Sequence, residues 1–556
     1  MSSTYKHRLL GWLSYAFASE VFVVVSLTLF LPICLEQFAR DNGFLQPDRV
    51  EPCSFSVDDG VSSTEARCAV KIGWLWIDTA SFSLYVYSIS VAMQALTVIS
   101  IGSIADRPAM RKPLLLTFGL IGAFSAILFL LLPSSSPLWI LSAFLAICAN
   151  VGFGASVVAM NAYLPSLASA SPEVVKARID LDEFSRISEP TITPSLDFES
   201  EPVLAVGDDD DSTSSPLLGT SHDRSAAQKE YHAALSRAIS HISSLGIASG
   251  YGAGIILLLL ALIPVAKLHG STLSLRLAIG LSGVWWLAFS IPAAIWLPGV
   301  THDATKSGSN WTVRSEVFAA WKRLGVMLRW SQIKRLQHTF RYLAAWFLLS
   351  DGFTTITSTA ILFGKTTLHM DSSSLVLIGA ITPTSGIIGS LVFPFLQRKL
   401  AWSNLNVLVI LVTMVSCIPA YGCLGFLPFV KKMSFGGLTT PGEMFALAIY
   451  FGFAYGAFQG YARASYAELI PEGEEARWYG LFSITDKARF NFSFVGPLIV
   501  GLIADGTGNI RYSFFFLVFM VWLAIPVLLS VNMEQGRLDA RDYHVDMQEG
   551  EETPES

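Results

Sequence analysis

"GSIADRPAMRK", Gly102 to Lys112, is a short charged loop set between two apolar runs, residues 80–104 and 113–132. A glycine stands four residues before an acid, Asp106, followed by Arg107 and then by a basic pair, Arg111 and Lys112. Glycine allows two helices to approach closely within a membrane. A carboxylate here can pair with basic neighbours and sits near the start of the next helix, where negative charge is favoured. Contacts of this kind can break and re-form. An ordinary basic turn would not require the ordered spacing.

The surrounding composition explains the setting. Of 556 residues, 52% are hydrophobic and only 14% are charged, with a mean hydropathy of +0.52. Soluble proteins carry roughly a quarter charged residues. Apolar runs of about 20 residues, each able to cross ~30 Å of hydrocarbon, recur along the whole chain. Twelve are expected, near 9–32, 80–104, 113–132, 138–164, 242–266, 273–297, 341–363, 374–396, 404–426, 442–466, 480–503 and 512–531. The fold class is therefore an all-α polytopic membrane protein. The first run lacks a small-residue cleavage site and reads as a retained span. A formal net charge of −6 offers no footprint for nucleic acid. Lys and Arg concentrate in loops on one side, among them Lys6, Arg8, Arg107, Arg111, Lys112, Arg398 and Lys399, which predicts that both termini are cytosolic.

Polar stretches divide the chain into 1–166 with the first four spans, an acidic linker 167–240, spans five and six in 241–297, a basic segment 298–340, six further spans in 341–531, and an acidic tail 532–556. The linker, with "GDDDDSTSSPLLG", cannot bury enough apolar area to offset its chain entropy and is expected to be disordered, as is the tail. It offers a surface for cytosolic partners. The 298–340 segment, with Trp311, Phe318, Trp321 and Trp330 among its charges, reads as an amphipathic helix at the lipid surface. Cys53 and Cys68 share the first non-cytosolic loop; an oxidising lumen would join them, a reducing one would leave two thiols.

The chain also repeats itself. Ser19-Glu20-Val21-Phe22 in span one echoes Ser350-Asp351-Gly352-Phe353 in span seven, and "NAYLP" after span four echoes "SYAELIP" after span ten. Two six-helix units in parallel orientation, together with the Gly102–Lys112 loop, resemble the major facilitator superfamily, whose ligands bind at mid-membrane between the halves. The equivalent second-half loop keeps only Gln397-Arg398-Lys399.

Four longer stretches carry a narrower resemblance: "SYAFASEVFVVVSLTLFLPICLEQFA" (14–39), "ISSLGIASGYGAG" (242–254), "WFLLSDGFTTITSTAILF" (346–363) and "QGYARASYAELIPEGEEARWYGLFSITDKARFNFSFVGPLIVGLI" (459–503). Together they resemble the fungal autophagy-related protein 22 family over nearly all of the membrane part. The resemblance implies a vacuolar-membrane transporter that exports neutral amino acids such as leucine after autophagic breakdown. After "TDK" the chain departs from the family's Gly/Ser-rich pattern, with Ala488-Arg489-Phe490-Asn491-Phe492.

Two carboxylates lie deep in apolar runs. Glu20 and Asp351 are each about ten residues into their spans, or ~15 Å at 1.5 Å per residue. An ionised carboxylate at that depth costs at least ~2.5–3.5 kcal/mol and is expected to face a cavity, find a partner or hold a proton. They are candidates for binding a substrate ammonium or carrying a coupled proton; the alternative is a helix–helix hydrogen-bond network. Tyr15, Asn150, Tyr455 and Gln459 are further candidates at cavity depth, and Arg463 is placed to meet either Glu468 or a departing substrate carboxylate. No Gly-x-Ser-x-Gly occurs, no Gly-Lys-Ser/Thr follows the glycine-rich spots, and the nine histidines show no metal spacing. No enzyme, metal or cofactor is expected. A non-transporting membrane factor (a lipid scramblase or an adaptor) or a facilitator for another solute is the competing reading.

Overall fold

A computed structural model describes residues 3–552 apart from 46–49, 54–67, 134–136, 188–216, 268–271, 300–312, 369, 371, 428–435, 472–473 and most of 488–508. The chain enters as α1 (Ser3–Val21), continues without a break through a π-helical stretch, Phe22–Phe30, and ends the same rod as α2 (Leu31–Asp41). The wide π turn follows directly on Glu20. Thr28 caps its register by donating from Oγ1 to the Val23 carbonyl at 2.7 Å. Beyond α2 lies a small antiparallel sheet of β1 (Phe44–Leu45), β2 (Cys68–Ile72) and β3 (Leu75–Asp78), in that order. Cys53 and Cys68 form a disulfide beside it.

The remaining helices of the first half are α3 (Thr79–Asp106), α4 (Pro108–Leu128), α5 (Leu141–Asn161), α6 (Leu164–Ser169), α7 (Pro172–Ile187), α8 (Leu217–Lys267) and α9 (Thr272–Trp296). Two linking helices, α10 (Val313–Met327) and α11 (Trp330–Arg335), lead to the second half. That half holds α12 (Gln337–Thr366), α13 (Ser372–Leu400), α14 (Asn404–Leu424), α15 (Pro441–Ala467), α16 (Glu475–Lys487) and α17 (Ser513–Leu529), and α18 (Met533–Glu552) closes the chain. Among the described residues, nine helices are long and apolar enough to cross a membrane. Each of the twelve expected runs has a helix within it, although only fragments of the eleventh are described past Lys487.

The two halves pack alike. In the first, α1 meets α8 and α9, α4 meets α5 and α9, and α3 meets α5; in the second, α12 meets α16 and α17, α14 meets α15 and α17, and α13 meets α15. Each pair has its counterpart, which is what an internal repeat of one six-helix unit requires. The halves then cross: α3 packs on α16, and α8 packs on α13 and α15. We call the end of the bundle holding Asp106 and Arg477 the ion-pair end, and the opposite one the sheet end.

Two expectations need correction. The acidic linker is not unstructured over 167–240, since α7 and the first turns of α8 lie inside it. Apolar Val174 and Ala177 are buried on one face of α7, and Glu173 accepts from Arg237 of α8 at 3.1 Å, so this part does find area to bury. Residues 188–216 lie outside the described residues. The tail likewise is helical over α18. Its Ala540 and Tyr543 are buried, and Arg537 pairs with Glu468, whose side chain is 3% exposed. That carboxylate also accepts from Asn404 at 2.6 Å and Ser236 at 2.7 Å, so α18 clamps a site where α8, α14 and α15 converge.

Removing one partner of a buried pair leaves an uncompensated charge, at a cost of several kcal/mol when both are dry. Arg537 is 23% exposed, so a smaller figure applies. Arg537→Ala is expected to destabilise the protein by roughly 1–3 kcal/mol. Thermal unfolding in detergent checks it, and an unchanged midpoint would show the clamp to be idle.

Candidate functional site

The site has two parts, a polar cluster near mid-bundle and a seam at the ion-pair end. Tyr455, Gln459 and Arg463 recur at every fourth residue of α15 and so share one face of that helix. Gln459 donates from Nε2 to the Tyr455 hydroxyl at 2.6 Å. Arg463 is buried and donates from Nη1 to Asn161 Oδ1 at 3.2 Å, tying α15 to the end of α5. Glu20 of α1 is half-buried and lies within electrostatic reach of both Arg463 and Tyr251 of α8. Its position depends on Gly250, where a Cβ would stand 2.5 Å from the Glu20 Cγ. Tyr251 in turn packs on Gly386 of α13. One carboxylate, one guanidinium and two phenols thus gather from both halves. An apolar wall adjoins them, with Phe353 4.3 Å from Phe458 and 5.7 Å from Tyr455 by ring centroid.

The other expected residues lie elsewhere. Asp351 is buried, with Oδ2 3.1 Å from where a Cβ on Gly496 would stand. Tyr15 points into the first half, its hydroxyl 2.7 Å from the Cβ position of Gly119 on α4, and so away from the second half. Asn150 donates to Ser90 Oγ at 2.7 Å and ties α5 to α3 within the same half. Arg463 does not meet Glu468, which is taken by Arg537. Tyr251 and Asn161 were missed. Tyr251 sits in "GYGAG", which carried only the family resemblance, and Asn161 in "NAYLP", which carried only the repeat. The 488–492 stretch lies outside the described residues.

The charged loop closes the seam. Gly102 lets α3 approach α16 so closely that a Cβ there would lie 3.2 Å from the Arg477 Cα. Asp106 accepts from the Arg477 backbone N–H at 3.1 Å, at the first turn of α16, where the helix dipole favours a carboxylate. The expected partner was the loop's own basic cluster; the observed one belongs to the other half. Arg111 instead donates to Glu475 at 2.7 Å and to the carbonyls of Ala105, Asp106 and Ala162. Lys112 donates to the Leu297 carbonyl at 2.9 Å, while Arg107 is exposed. In the second half Gln397 stands at the corresponding place, and its Oε1 accepts from Ser240 of α8 at 3.0 Å and Tyr461 at 2.8 Å. The repeat therefore has two latches, one ionic at α3–α16 and one neutral at α8–α13.

Burial pushes the Asp106 carboxyl up to about 8, against the pull of the Arg477 guanidinium and backbone N–H, while Glu474 and Glu475 add to the rise. At 3.7 Å the Arg477 Nε is too far to hydrogen-bond and offsets only part of the desolvation. A carboxyl whose pKa is higher in the closed seam than its ordinary 3.8 takes up a proton on closing. Closure is therefore favoured at low pH, and that contribution is lost as pH rises through about 8. Spin labels on the facing ends of α3 and α16 should separate more often as pH is raised from about 6 to about 9. Asp106→Asn should abolish the trend; a trend that persists in this variant assigns the effect to another group.

Comparison with known proteins places this geometry. A family model described as "Vacuole effluxer Atg22 like" matches residues 4–541. Autophagy-related protein 22 of Cryptococcus neoformans var. neoformans is 42% identical, with 96% of each chain covered. Its namesake in Pyricularia oryzae is 39% identical over 96% of this chain and 78% of its own. Among solved structures, the proton:xylose symporter XylE of the major facilitator superfamily bound to 6-bromo-6-deoxy-D-glucose superposes with a TM-score of 0.56 at 11% identity, covering 96% of both chains. The superfamily transporter FucP in its outward conformation gives 0.53 at 13% identity, covering 96% of this chain and 99% of that one. The fold is that of the major facilitator superfamily.

Proposed function

The chain belongs to the Atg22-like family of vacuole effluxers, and we propose that it carries neutral amino acids such as leucine from the vacuole lumen to the cytosol by alternating access. The observation that carries this reading is that Glu20 and Arg463, one from each half, lie within electrostatic reach of each other beside an aromatic wall. A zwitterion needs one anion, one cation and a dry place for its side chain. Glu20 would hold the ammonium, Arg463 the carboxylate, and Phe353 and Phe458 the aliphatic group. Tyr455 and Gln459 line the same face and orient the carboxylate.

The Lys/Arg bias supports a cytosolic ion-pair end and a lumenal sheet end, with both termini in the cytosol. On that orientation the closed seam makes this the lumen-facing form. Substrate would enter from the sheet end, replace the mutual attraction of Glu20 and Arg463 with its own two charges, and leave after the α3–α16 and α8–α13 latches open. Asp351, buried at matching depth in the repeat-related helix, is the candidate for a coupled proton.

Efflux of labelled amino acids from proteoliposomes, with and without a pH gradient, tests this. Charge-assisted hydrogen bonds contribute ~1.5–3 kcal/mol, so Glu20→Gln and Arg463→Gln should each lower leucine flux by about tenfold or more. Asp351→Asn should flatten any dependence on the gradient. Normal leucine flux in both single charge variants would sink the zwitterion site, and flux of a sugar but not of leucine would change the substrate class.

A further inference from the structure

The linking helix α10 lies on the outside of the bundle, yet it touches both halves. Its Ala320 and Leu324 close a crevice whose other walls are Val98 and Gly102 of α3 and Arg477 and Gly480 of α16. Trp321 donates from Nε1 to Ser100 Oγ at 3.1 Å. Ser100 is six residues before Asp106, or ~9 Å along α3, so α10 sits about two turns inside the ion-pair end.

The face turned away from the bundle is amphipathic in its own right. Phe318 is 75% exposed, and at the bend that follows α10 Leu328 is exposed and Trp330 is 71% exposed. Lys322 of α10 and Arg329 of the bend are exposed as well. Residues 313–335 carry six cations, Arg314, Lys322, Arg323, Arg329, Lys334 and Arg335, against one carboxylate, Glu316. Aromatic rings with interleaved cations match an interface of acyl chains and anionic headgroups. A soluble acidic segment would neutralise the cations but leave Phe318, Leu328 and Trp330 in water.

We propose that α10 is a lipid-reading brace: anionic phospholipid in the leaflet at the ion-pair end binds its outer face and, through Ala320, Leu324 and Trp321, holds the α3–α16 seam closed. The halves must part at this seam for the cavity to open there, and α10 spans it. Lipid bound on α10 therefore favours the closed form over the open one, because only the closed form presents both walls of the crevice to α10.

The test uses the full chain in nanodiscs of phosphatidylcholine, with and without phosphatidylserine, and reads amide hydrogen exchange over residues 475–487 of α16. Phosphatidylserine should slow exchange there by about fivefold for each engaged cation, and raised salt should erase the gain. Lys322→Gln combined with Arg329→Gln, both exposed and so neutral to folding, should lose the response while keeping the phosphatidylcholine rate. The proposal is overturned if phosphatidylserine leaves α16 unchanged in the native chain, or protects it equally in the double variant. It is also overturned if the response vanishes only when Asp208–Asp211 are changed to Asn, which would assign the basic face to the chain's own acidic linker. None of these readouts depends on the transported solute, so failure here leaves the amino-acid reading intact.

Discussion

Four ionisable side chains hold the two halves of this transporter together. Asp106 and Arg111 come from one half and Glu475 and Arg477 from the other, and all four are largely withdrawn from water. Each would be costly if left alone in that place. Arg111 meets Glu475 across the seam, Arg477 stands opposite Asp106, and backbone partners are added: Arg111 on three carbonyls and Asp106 on an N–H at a helix start. Such a cluster is a poor source of net stability but a strong source of register, since any other docking of α3 on α16 would strand a charge. It is also two-state by nature. Opening the seam returns the charges to water, where hydration replaces the lost pairing, so the closed and open forms can lie close in free energy.

The second latch follows the same repeat with different chemistry. Gln397 takes the place of the acid, and Ser240 and Tyr461 take the place of the bases. Neutral hydrogen bonds are individually weaker than charge-assisted ones, yet they can be buried without a large desolvation penalty. This side of the bundle is reinforced instead by Glu468, which gathers Ser236, Asn404 and Arg537 around one carboxylate. One latch therefore responds to pH and ionic surroundings, while the other acts as a more constant hinge.

Much of this was legible in the sequence. The period of the apolar runs, the matched Glu20 and Asp351 segments, and the spacing of Gly102, Asp106 and Arg111 were enough for the class and the twofold repeat. The partners were not. "EGEEARW" after span ten supplies Glu475 and Arg477, but which of several acids and bases meets Asp106 depends on how two halves dock, and no local pattern encodes that. Tyr15 illustrates a different failure. Depth along a helix can be counted from residue number, but the face that a side chain presents depends on its neighbours, and Gly119 opens a slot for the ring inside its own half. The helices within the linker and tail escaped because their apolar content is low on average; Val174, Ala177, Ala540 and Tyr543 matter by being on the right faces.

The same reasoning explains why a half-buried Glu20 and a buried Arg463 would suit a zwitterionic cargo, as proposed. The two charges stabilise each other at a distance and need no exact contact, so both persist in an apolar region. A neutral amino acid brings a complementary pair of charges and leaves the total unchanged on binding. A singly charged solute would upset that balance, and an uncharged one would have to strip water from Glu20 and Arg463 without compensating either. On the proposed reading, selectivity for net-neutral, doubly charged solutes would follow from charge conservation inside a low-dielectric space. The side chain of the substrate adds only the apolar term of about 25 cal/mol per Å² that it buries against Phe353 and Phe458. A site so built discriminates strongly for the amino-acid backbone and weakly among aliphatic side chains.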